Sequence, residues 1–257
     1  MAVTDPWCNG PVQGSRAIYV ETHVHTDMDR LWELTQVPGQ HTRWDLRFTH
    51  IDYLPRPDQD EPQHFRYAVR LAPGVAVAGV GTTLGEVSRA DGSRTSALGF
   101  RSDSPLSPIR VGRGYWRYVP TQDGIRFLTG YDYEPRWGVF GAMVDRAAFR
   151  PAMGWATAWS FDRLRLWLET GQTPERSRLM ALADGAMRIA GVLTGAALVR
   201  RAGGPVPTAG LAGVVLAVAA SRIPALPGVP VARRCPRRPP DRLGETPPTT
   251  MEQVNQR

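Results

Sequence analysis

Aromatic residues occupy only part of the chain, and this distribution limits most strongly what the chain can fold into. The 257 residues include eight Trp, seven Tyr and seven Phe, and all of them lie between Trp7 and Trp167. Large side chains of this kind supply much of the buried area of a globular core. The sequence therefore predicts one globular domain in the first two thirds, followed by an appended segment.

The positive charge divides at the same place. All 31 basic residues are Arg, and the formal net charge is +7. Residues 1–170 carry 19 Arg and 19 acidic residues, whereas residues 171–257 carry 12 Arg and five acidic residues. Such a basic tail either attracts an anionic surface, such as a membrane, or is simply solvated. No nucleic acid partner is expected, because the domain is neutral and lacks an RNA-binding motif.

Several chemistries are excluded by residue types alone. Without Lys the chain cannot form a Schiff base or hold a nucleotide with a P-loop lysine. The two cysteines, Cys8 and Cys235, cannot build a four-thiolate zinc site or a disulfide framework. No catalytic triad motif is present either. No catalytic residue is therefore assigned, and no cofactor is expected.

The hydrophobic periodicity predicts an α+β domain. Ile18, Val20 and Val24 alternate with Tyr19 and polar residues, as in a half-buried strand, and two short helices follow up to Trp44. Six further strands are expected between residues 44 and 134, with a bulge near Thr49-His50. Residues 138–169 have helical spacing, broken or kinked at Pro151 and ended by Gly171.

This order resembles the START-like or SRPBCC helix-grip superfamily, in an actinobacterial-type branch. The resemblance is carried by Met28-Asp-Arg-Leu-Trp-Glu-Leu-Thr35, by Arg43-Trp44-Asp-Leu-Arg-Phe48, and by the helical sequence from Phe149 to Glu169. It covers about residues 16–170. It implies a seven-stranded antiparallel curved sheet wrapped around a long C-terminal helix, with a cavity between the two layers. Lipid carriers and polyketide cyclases share this scaffold, so the resemblance predicts the fold better than the function.

The strand phases and the resemblance together select the aromatic side chains that would line such a cavity. These are Phe65, Tyr67, Trp116, Tyr118, Phe127, Tyr131 and Tyr133 on the sheet, with Trp155 and Trp159 on the helix. The alternative is that they simply fill a core. A cavity smaller than roughly 300 Å³ would favour that alternative.

Two polar clusters are candidate sites. His23 and His25 share one strand face and could bind a metal if His41, His50 or His64 supplied a third ligand, but solvated histidines are the simpler interpretation and no metal is predicted. Arg113, Tyr115 and Arg117 share another face and could clamp a carboxylate or enolate, as in a cyclase. The residues of the opposite phase fit the inward face better; they are Gly112, Gly114, Trp116 and Tyr118.

The appended segment divides into two parts. Residues 171–232 are expected to form a helical apolar extension, whose uncharged runs 189–199 and 211–220 are each shorter than the ~20 residues of a spanning helix. They are expected to lie on a membrane through 189–222, to pack on the domain or a second copy, or to be weakly ordered. Residues 1–15 and 233–257 are expected to be a flexible lead-in and a disordered Arg/Pro-rich tail.

These observations favour a non-catalytic binder or carrier of a small hydrophobic ligand such as a lipid, isoprenoid or polyketide. A cyclase or aromatase on the same fold, and a scaffold with a filled cavity and a functional tail, are the alternatives. The N-terminus lacks an apolar signal region, so a cytoplasmic location is expected, with association to a membrane as a further expectation.

Overall fold

Seven strands form one antiparallel sheet in the order β1-β7-β6-β5-β4-β3-β2. The computed structural model describes residues 17–56, 58 and 61–245, so the expected lead-in of residues 1–15 lies outside the described residues. The strands are β1 (Ile18–Val24), β2 (His50–Tyr53), β3 (His64–Ala72), β4 (Val75–Ser88), β5 (Arg94–Arg101), β6 (Ile109–Pro120) and β7 (Ile125–Pro135). The first strand pairs with the last, which places the two ends of the domain side by side.

Helices form most of the connection between β1 and β2 and most of the described chain after β7. They are α1 (Met28–Gln36), α2 (Pro38–Trp44), α3 (Gly138–Val144), α4 (Arg150–Thr170), α5 (Pro174–Arg201), α6 (Val206–Arg222) and α7 (Arg242–Glu245). Asp27 is the N-cap of α1, because its carboxylate accepts a hydrogen bond from the backbone N–H of Arg30 at 2.7 Å.

The expected break at Pro151 takes the form of a widened turn. Residues Asp145–Phe149 form a π-helical turn between α3 and α4, and Pro151 lies in the first turn of α4. Proline has no N–H to donate and its ring crowds the preceding turn, so a wider turn accommodates it without ending the helix. The chain is consequently helical from Gly138 to Thr170.

The long helix α4 lies across β1 and buries the centre of the domain. Phe161 and Leu164 of α4 are fully buried with Val20, Trp44 and Phe127 in one cluster. The rings of Phe127 and Phe161 stack with centroids 4.6 Å apart. The predicted fold class is confirmed: a seven-stranded antiparallel curved sheet wraps around a long helix.

Glycines on the inner face of the sheet leave room for aromatic rings of the neighbouring strand. A Cβ atom on Gly81 would lie 2.1 Å from Cζ of Phe65, and one on Gly79 would lie 2.4 Å from the ring of Tyr67. Each glycine is the cross-strand partner of that aromatic residue. The rings therefore lie over bare backbone, on the face that points toward the helices.

Two local predictions for the early strands were wrong. Residues 45–49 do not continue a strand from Trp44, because Trp44 ends α2 and β2 begins only at His50. The register shifts lie instead in β3 at Arg70/Ala72, in β4 at Thr83/Gly85 and in β6 at Ile109/Val111.

The extension leaves the domain as a helical hairpin and then returns to it. Helices α5 and α6 pack side by side, with Leu216 lying over Gly195. At the base, the Gln172 side-chain amide donates to Oγ of Ser177 at 2.7 Å and to the carbonyl of Gly228 at 2.6 Å. The outgoing and returning chains are therefore joined next to the end of α4.

The returning residues 229–245, which we call the C-terminal strap, differ from the expected disorder. The buried Asp162 carboxylate accepts hydrogen bonds from Val231 N–H at 2.7 Å and from the guanidinium of Arg234 at 3.0 Å. Cys235 is 2% exposed within the main core cluster. The strap also covers Tyr19, which the alternation of β1 assigned to an outward face and which is 6% exposed. Residues 246–257 lie outside the described residues.

Candidate functional site

A cavity of about 150 Å³ lies between the inner face of the sheet and the helices α1, α2 and α4. Its wall is mainly apolar and includes Phe48, Ile51, Val69, Leu98 and Met153. The inner face supplies these side chains because residues that pair across the strands share one side of the sheet, as Tyr131, Gly114 and Leu98 do.

Four of the nine predicted aromatic residues line this cavity. They are Phe65 and Tyr67 on β3, Trp116 on β6 and Tyr131 on β7. The period-two pattern of these strands therefore gives the correct face at each of them. Their role in binding a ligand stays a prediction.

Three other predicted residues lie on the same face but in the packed core beside the cavity. Tyr118, Phe127 and Tyr133 are completely buried. The Tyr118 hydroxyl contacts Oγ1 of Thr35 at 2.7 Å, and the Tyr133 hydroxyl donates to the Asp145 carboxylate at 2.6 Å. Helices α1 and α4 fill the space over these rings, which strand phase alone cannot reveal.

Neither of the two predicted helix residues lines the cavity, although Trp159 packs against the main core cluster. Trp155 is 48% exposed, and its ring stacks on that of Trp159 with centroids 6.4 Å apart. The guanidinium of Arg163 lies 5.5 Å from the centre of the Trp159 ring. The α4 residue that lines the cavity is Met153, and Thr157 one turn later binds Tyr131. A helix that is apolar on most sides gives no signal to choose between its faces.

A buried charged cluster forms one side of the cavity, and the sequence did not single it out. Arg47 and His41 line the cavity. Both bind the fully buried Asp45: Nε2 of His41 lies 3.0 Å from Oδ2, and Nη2 of Arg47 donates to the same oxygen at 2.7 Å. Asp45 and Arg47 lie in a segment that the sequence predicts as a strand, whereas His41 lies in α2, which agrees with the helix predicted up to Trp44.

The charge state of this cluster follows from its contacts. Burial disfavours the charged form of Asp45, but the attraction of Arg47 and the hydrogen bonds from His41 and Arg47 outweigh it and hold the pKa of Asp45 well below its usual range. Burial likewise opposes the charge on Arg47, yet Asp45 raises the pKa of Arg47 above its usual value. The cavity wall therefore contains a cation, the guanidinium of Arg47, whose charge is paired with the carboxylate of Asp45.

The tyrosines of the cavity are hydrogen-bond donors at neutral pH. Burial raises the pKa of Tyr67 to about 12 and also raises the pKa of Tyr131. The Tyr131 hydroxyl donates to Oγ1 of Thr157 at 2.9 Å, since that Thr157 hydroxyl itself donates to the carbonyl of Met153. The Tyr67 hydroxyl donates to the carbonyl of Arg101 at 3.3 Å. Neither residue is suited to act as a base.

Part of the proposed clamp lies on the opposite face of the sheet. The side chain of Tyr115 packs with Tyr19, Ala97 and Leu128 in a second buried cluster. The guanidinium of Arg117 lies over the Tyr115 ring and donates to the carbonyl of Leu243 in the C-terminal strap. Arg113 shares this strand phase. The clamp hypothesis is therefore not supported by the position of these side chains.

The candidate third ligands for His23 and His25 lie elsewhere. His41 is in the cavity wall, His50 lies beside Asp52, and Nδ1 of His64 contacts Thr82. Asp123, in the turn between β6 and β7, instead reaches both histidines. Because β7 pairs with β1 in register, His23 faces Arg126 and Val24 faces Ile125, which brings this turn to the end of β1.

The hairpin of α5 and α6 presents a continuous apolar surface. Its large hydrophobic side chains are mostly exposed, including Leu193 at 64%, Leu211 at 65% and Val214 at 61%. Helix α5 is long and apolar enough to cross a membrane by length and composition, whereas α6 is shorter. Arg200 and Arg201 lie near the tip of the hairpin.

The chain is similar in sequence to a bacterial membrane protein. No protein-family model matches the chain. The chain is 48% identical over 162 residues to the uncharacterized membrane protein YndG of Bacillus subtilis (strain 168), which is 63% of this chain and 60% of that protein. The chain thus spans about three fifths of the length of the relative that it matches.

Solved structures with a similar fold are more distant in sequence. A STAR-related lipid transfer protein of Xanthomonas axonopodis is 19% identical, with a TM-score of 0.47 over 62% of this chain and 89% of that chain. The Zhui aromatase/cyclase of Streptomyces sp. R1128 is 13% identical, with a TM-score of 0.44 over 62% and 98%. Human StAR-related lipid transfer protein 5 is 15% identical, with a TM-score of 0.44 over 57% and 74%. These values carry no information about function.

The order of the elements decides the architecture independently of these scores. The chain order is one strand, two short helices, six further strands and a long helix. All seven strands lie in one antiparallel sheet, in which β1 pairs with β7. The chain has the helix-grip fold, and the solved structures similar to it are START/SRPBCC-type proteins.

Proposed function

We propose that this chain binds a small hydrophobic molecule in the cavity under α1 and α2, at the surface of a membrane. The observation that carries the proposal is the cavity itself, whose wall is apolar apart from a few polar groups such as Arg47 and His41. Binding sites for apolar ligands combine a hydrophobic wall with a small number of placed polar groups.

The size of the cavity limits the ligand. A volume of about 150 Å³ is below the roughly 300 Å³ at which typical ligand sites begin. The Tyr53 hydroxyl donates to the carbonyl of Gln36 at 2.9 Å, and both residues line the cavity. Since Tyr53 is 49% exposed, this hydrogen bond lies where a larger ligand would enter between β2 and α1. We infer that the site holds a small apolar molecule, or that β2 and α1 separate at this hydrogen bond to admit a larger one.

The hairpin of α5 and α6 supports a location at a membrane. Apolar side chains cover it, and within the part of the chain that the structure describes little of the hairpin packs on the domain. Flanking arginines are attracted to anionic lipid headgroups. The relative from Bacillus subtilis is itself described as a membrane protein. We propose that the hairpin inserts into a membrane and holds the cavity domain beside it.

A scaffold with a filled cavity is the second candidate, and the small cavity volume is the observation that favours it. A cyclase receives less support, because the side chains of Tyr115 and Arg117 point away from the cavity. An experiment on the cavity separates binding from scaffolding.

The test fills the cavity with a larger side chain and makes the same substitution at an exposed position as a control. Val69 lines the cavity, so Val69→Trp is expected to occupy the space and weaken binding of an apolar fluorescent probe at least about tenfold. Val75, which begins the neighbouring strand and is 41% exposed, gives the matched control Val75→Trp. Fluorescence titration of the full chain and both variants measures the effect, and circular dichroism checks folding.

Binding that is lost in Val69→Trp and retained in Val75→Trp supports the proposal. No probe binding in the wild-type chain, or equal binding in both variants, contradicts it and favours the scaffold.

A further inference from the structure

We propose that His23, His25 and Asp123 form a binding site for a divalent transition metal, of which zinc is the natural probe. One nitrogen of each histidine and one oxygen of the carboxylate lie within 4.8 Å of one another. The site is separate from the cavity and does not depend on the function proposed above.

The distances suit a single ion with little movement. Nε2 of His23 lies 3.2 Å from Oδ1 of Asp123, and Nε2 of His25 lies 3.5 Å from Oδ2. Ligand atoms at about 2.0–2.2 Å from a tetrahedral zinc ion lie about 3.4 Å from one another. The two imidazole rings meet edge to face with centroids 5.0 Å apart, so both can direct a nitrogen to one point.

The carboxylate of Glu169 orients His25, as residues that hydrogen-bond to a metal-binding histidine commonly do. Nδ1 of His25 lies 2.9 Å from Oε1 of Glu169, and the same oxygen accepts the backbone N–H of His25 at 3.1 Å. The other oxygen of Glu169 accepts a hydrogen bond from Arg165 at 2.6 Å. A proton on Nδ1 leaves Nε2 with its lone pair toward Asp123, which is the tautomer that a metal requires.

The donor set and the exposure select the class of ion. Two imidazole nitrogens with one carboxylate suit zinc and its neighbours in the first transition row, whereas magnesium and calcium prefer oxygen ligands alone. Side-chain exposures of 36% for His23, 61% for His25 and 69% for Asp123 leave the ion open to water, which would complete the coordination. On binding, Nε2 of His23 would give up its contact with Oγ1 of Thr121, at 2.9 Å.

The ion would join three elements. His23 and His25 lie at the end of β1, Asp123 lies in the turn between β6 and β7, and Glu169 lies in the last turn of α4. An ion that binds only this folded arrangement stabilises it. Zinc is therefore expected to raise the melting temperature of the full chain, and magnesium is not.

The test titrates tag-free full chain with zinc by calorimetry. One equivalent is expected to bind, with binding abolished in His23→Gln, His25→Gln and Asp123→Asn. His50→Gln is the matched control, because His50 and Asp52 are another exposed His–carboxylate pair, 2.6 Å apart, on one strand. Glu169→Gln is expected to weaken zinc binding by about 10-fold to 100-fold while keeping the ligands.

No zinc binding by the wild-type chain, or equal binding by the wild-type chain and the ligand variants, overturns the proposal. If a ligand variant does not fold, the visible spectrum of cobalt-loaded wild-type chain decides. Intense absorption bands of tetrahedral cobalt support the site, and their absence contradicts it.

Discussion

At the scale of single residues, small side chains on the inner face of the sheet shape the cavity. Phe65 and Tyr67 lie flat over Gly81 and Gly79 of the adjacent strand. Strand alternation in the sequence was enough to predict that these two aromatic residues face inward. The volume left beside them could not be predicted, because it depends on which glycine each ring covers and on how the helices fill the remainder.

The glycine beneath Phe65 gives a test at this scale. A Cβ atom in Gly81→Ala would meet the Phe65 ring at 2.1 Å, so the ring must move, and its free direction is into the cavity. We expect a loss of about 1–3 kcal/mol in the free energy of unfolding and weaker binding of the apolar probe. Denaturant unfolding and fluorescence titration measure the two effects.

Gly39→Ala is the control, since a Cβ atom there meets nothing within 4 Å. Gly39 lies in α2, so this change is expected to leave the fold stable or to stabilise it slightly. Unchanged stability and binding in Gly81→Ala would show that Phe65 does not limit the cavity.

At the scale of elements, the sequence predicts the sheet well and the C-terminal strap poorly. Each strand has a period-two pattern that its own residues reveal, whereas residues 229–245 are rich in Arg and Pro and contain no aromatic residue. Their binding partners are distant: the carbonyl of Pro236 accepts the N–H of Glu21 at 3.0 Å, and Asp241 binds Arg126 at 2.6 Å. The Arg/Pro-rich composition of the strap therefore predicts disorder, whereas its hydrogen bonds to residues far away in the sequence hold it in place.

Removal of the strap is expected to destabilise the domain. A chain that ends at residue 228 loses the two strap donors to Asp162 and uncovers the site of Cys235. We expect a loss on the order of 3 kcal/mol in the free energy of unfolding, because Asp162 would keep only Arg165 as a charged partner. A chain that ends at residue 245 keeps every described contact and serves as the control. Equal denaturation midpoints for the two truncations would contradict a stabilising role of the strap.

At the scale of the whole molecule, an apolar hairpin is attached to the domain by its base. Gln172 links Ser177 and Gly228, so the hairpin begins and ends beside α4. The aromatic and charge distributions of the sequence predict a division between these two parts near residue 170. They did not show that the chain returns to the domain after the hairpin, since that depends on contacts more than 60 residues apart, such as Val231 with Asp162. The domain is thereby held close to whatever surface the hairpin enters.

The most direct test of a membrane-attached binder uses vesicles of anionic phospholipid that carry an apolar fluorescent probe. The wild-type chain is expected to float with the vesicles and to show energy transfer from tryptophan to the probe, because Trp116 lines the cavity. Val214→Asp places a charge on the hairpin and should weaken flotation on the order of 100-fold, since an acidic residue in the bilayer costs about 3 kcal/mol. Val75→Asp should float like the wild-type chain, whereas Val69→Phe, which fills the cavity without adding a tryptophan, should float but show less transfer. Flotation of Val214→Asp equal to that of the wild-type chain would contradict membrane attachment through the hairpin, and equal transfer in Val69→Phe would contradict binding in the cavity.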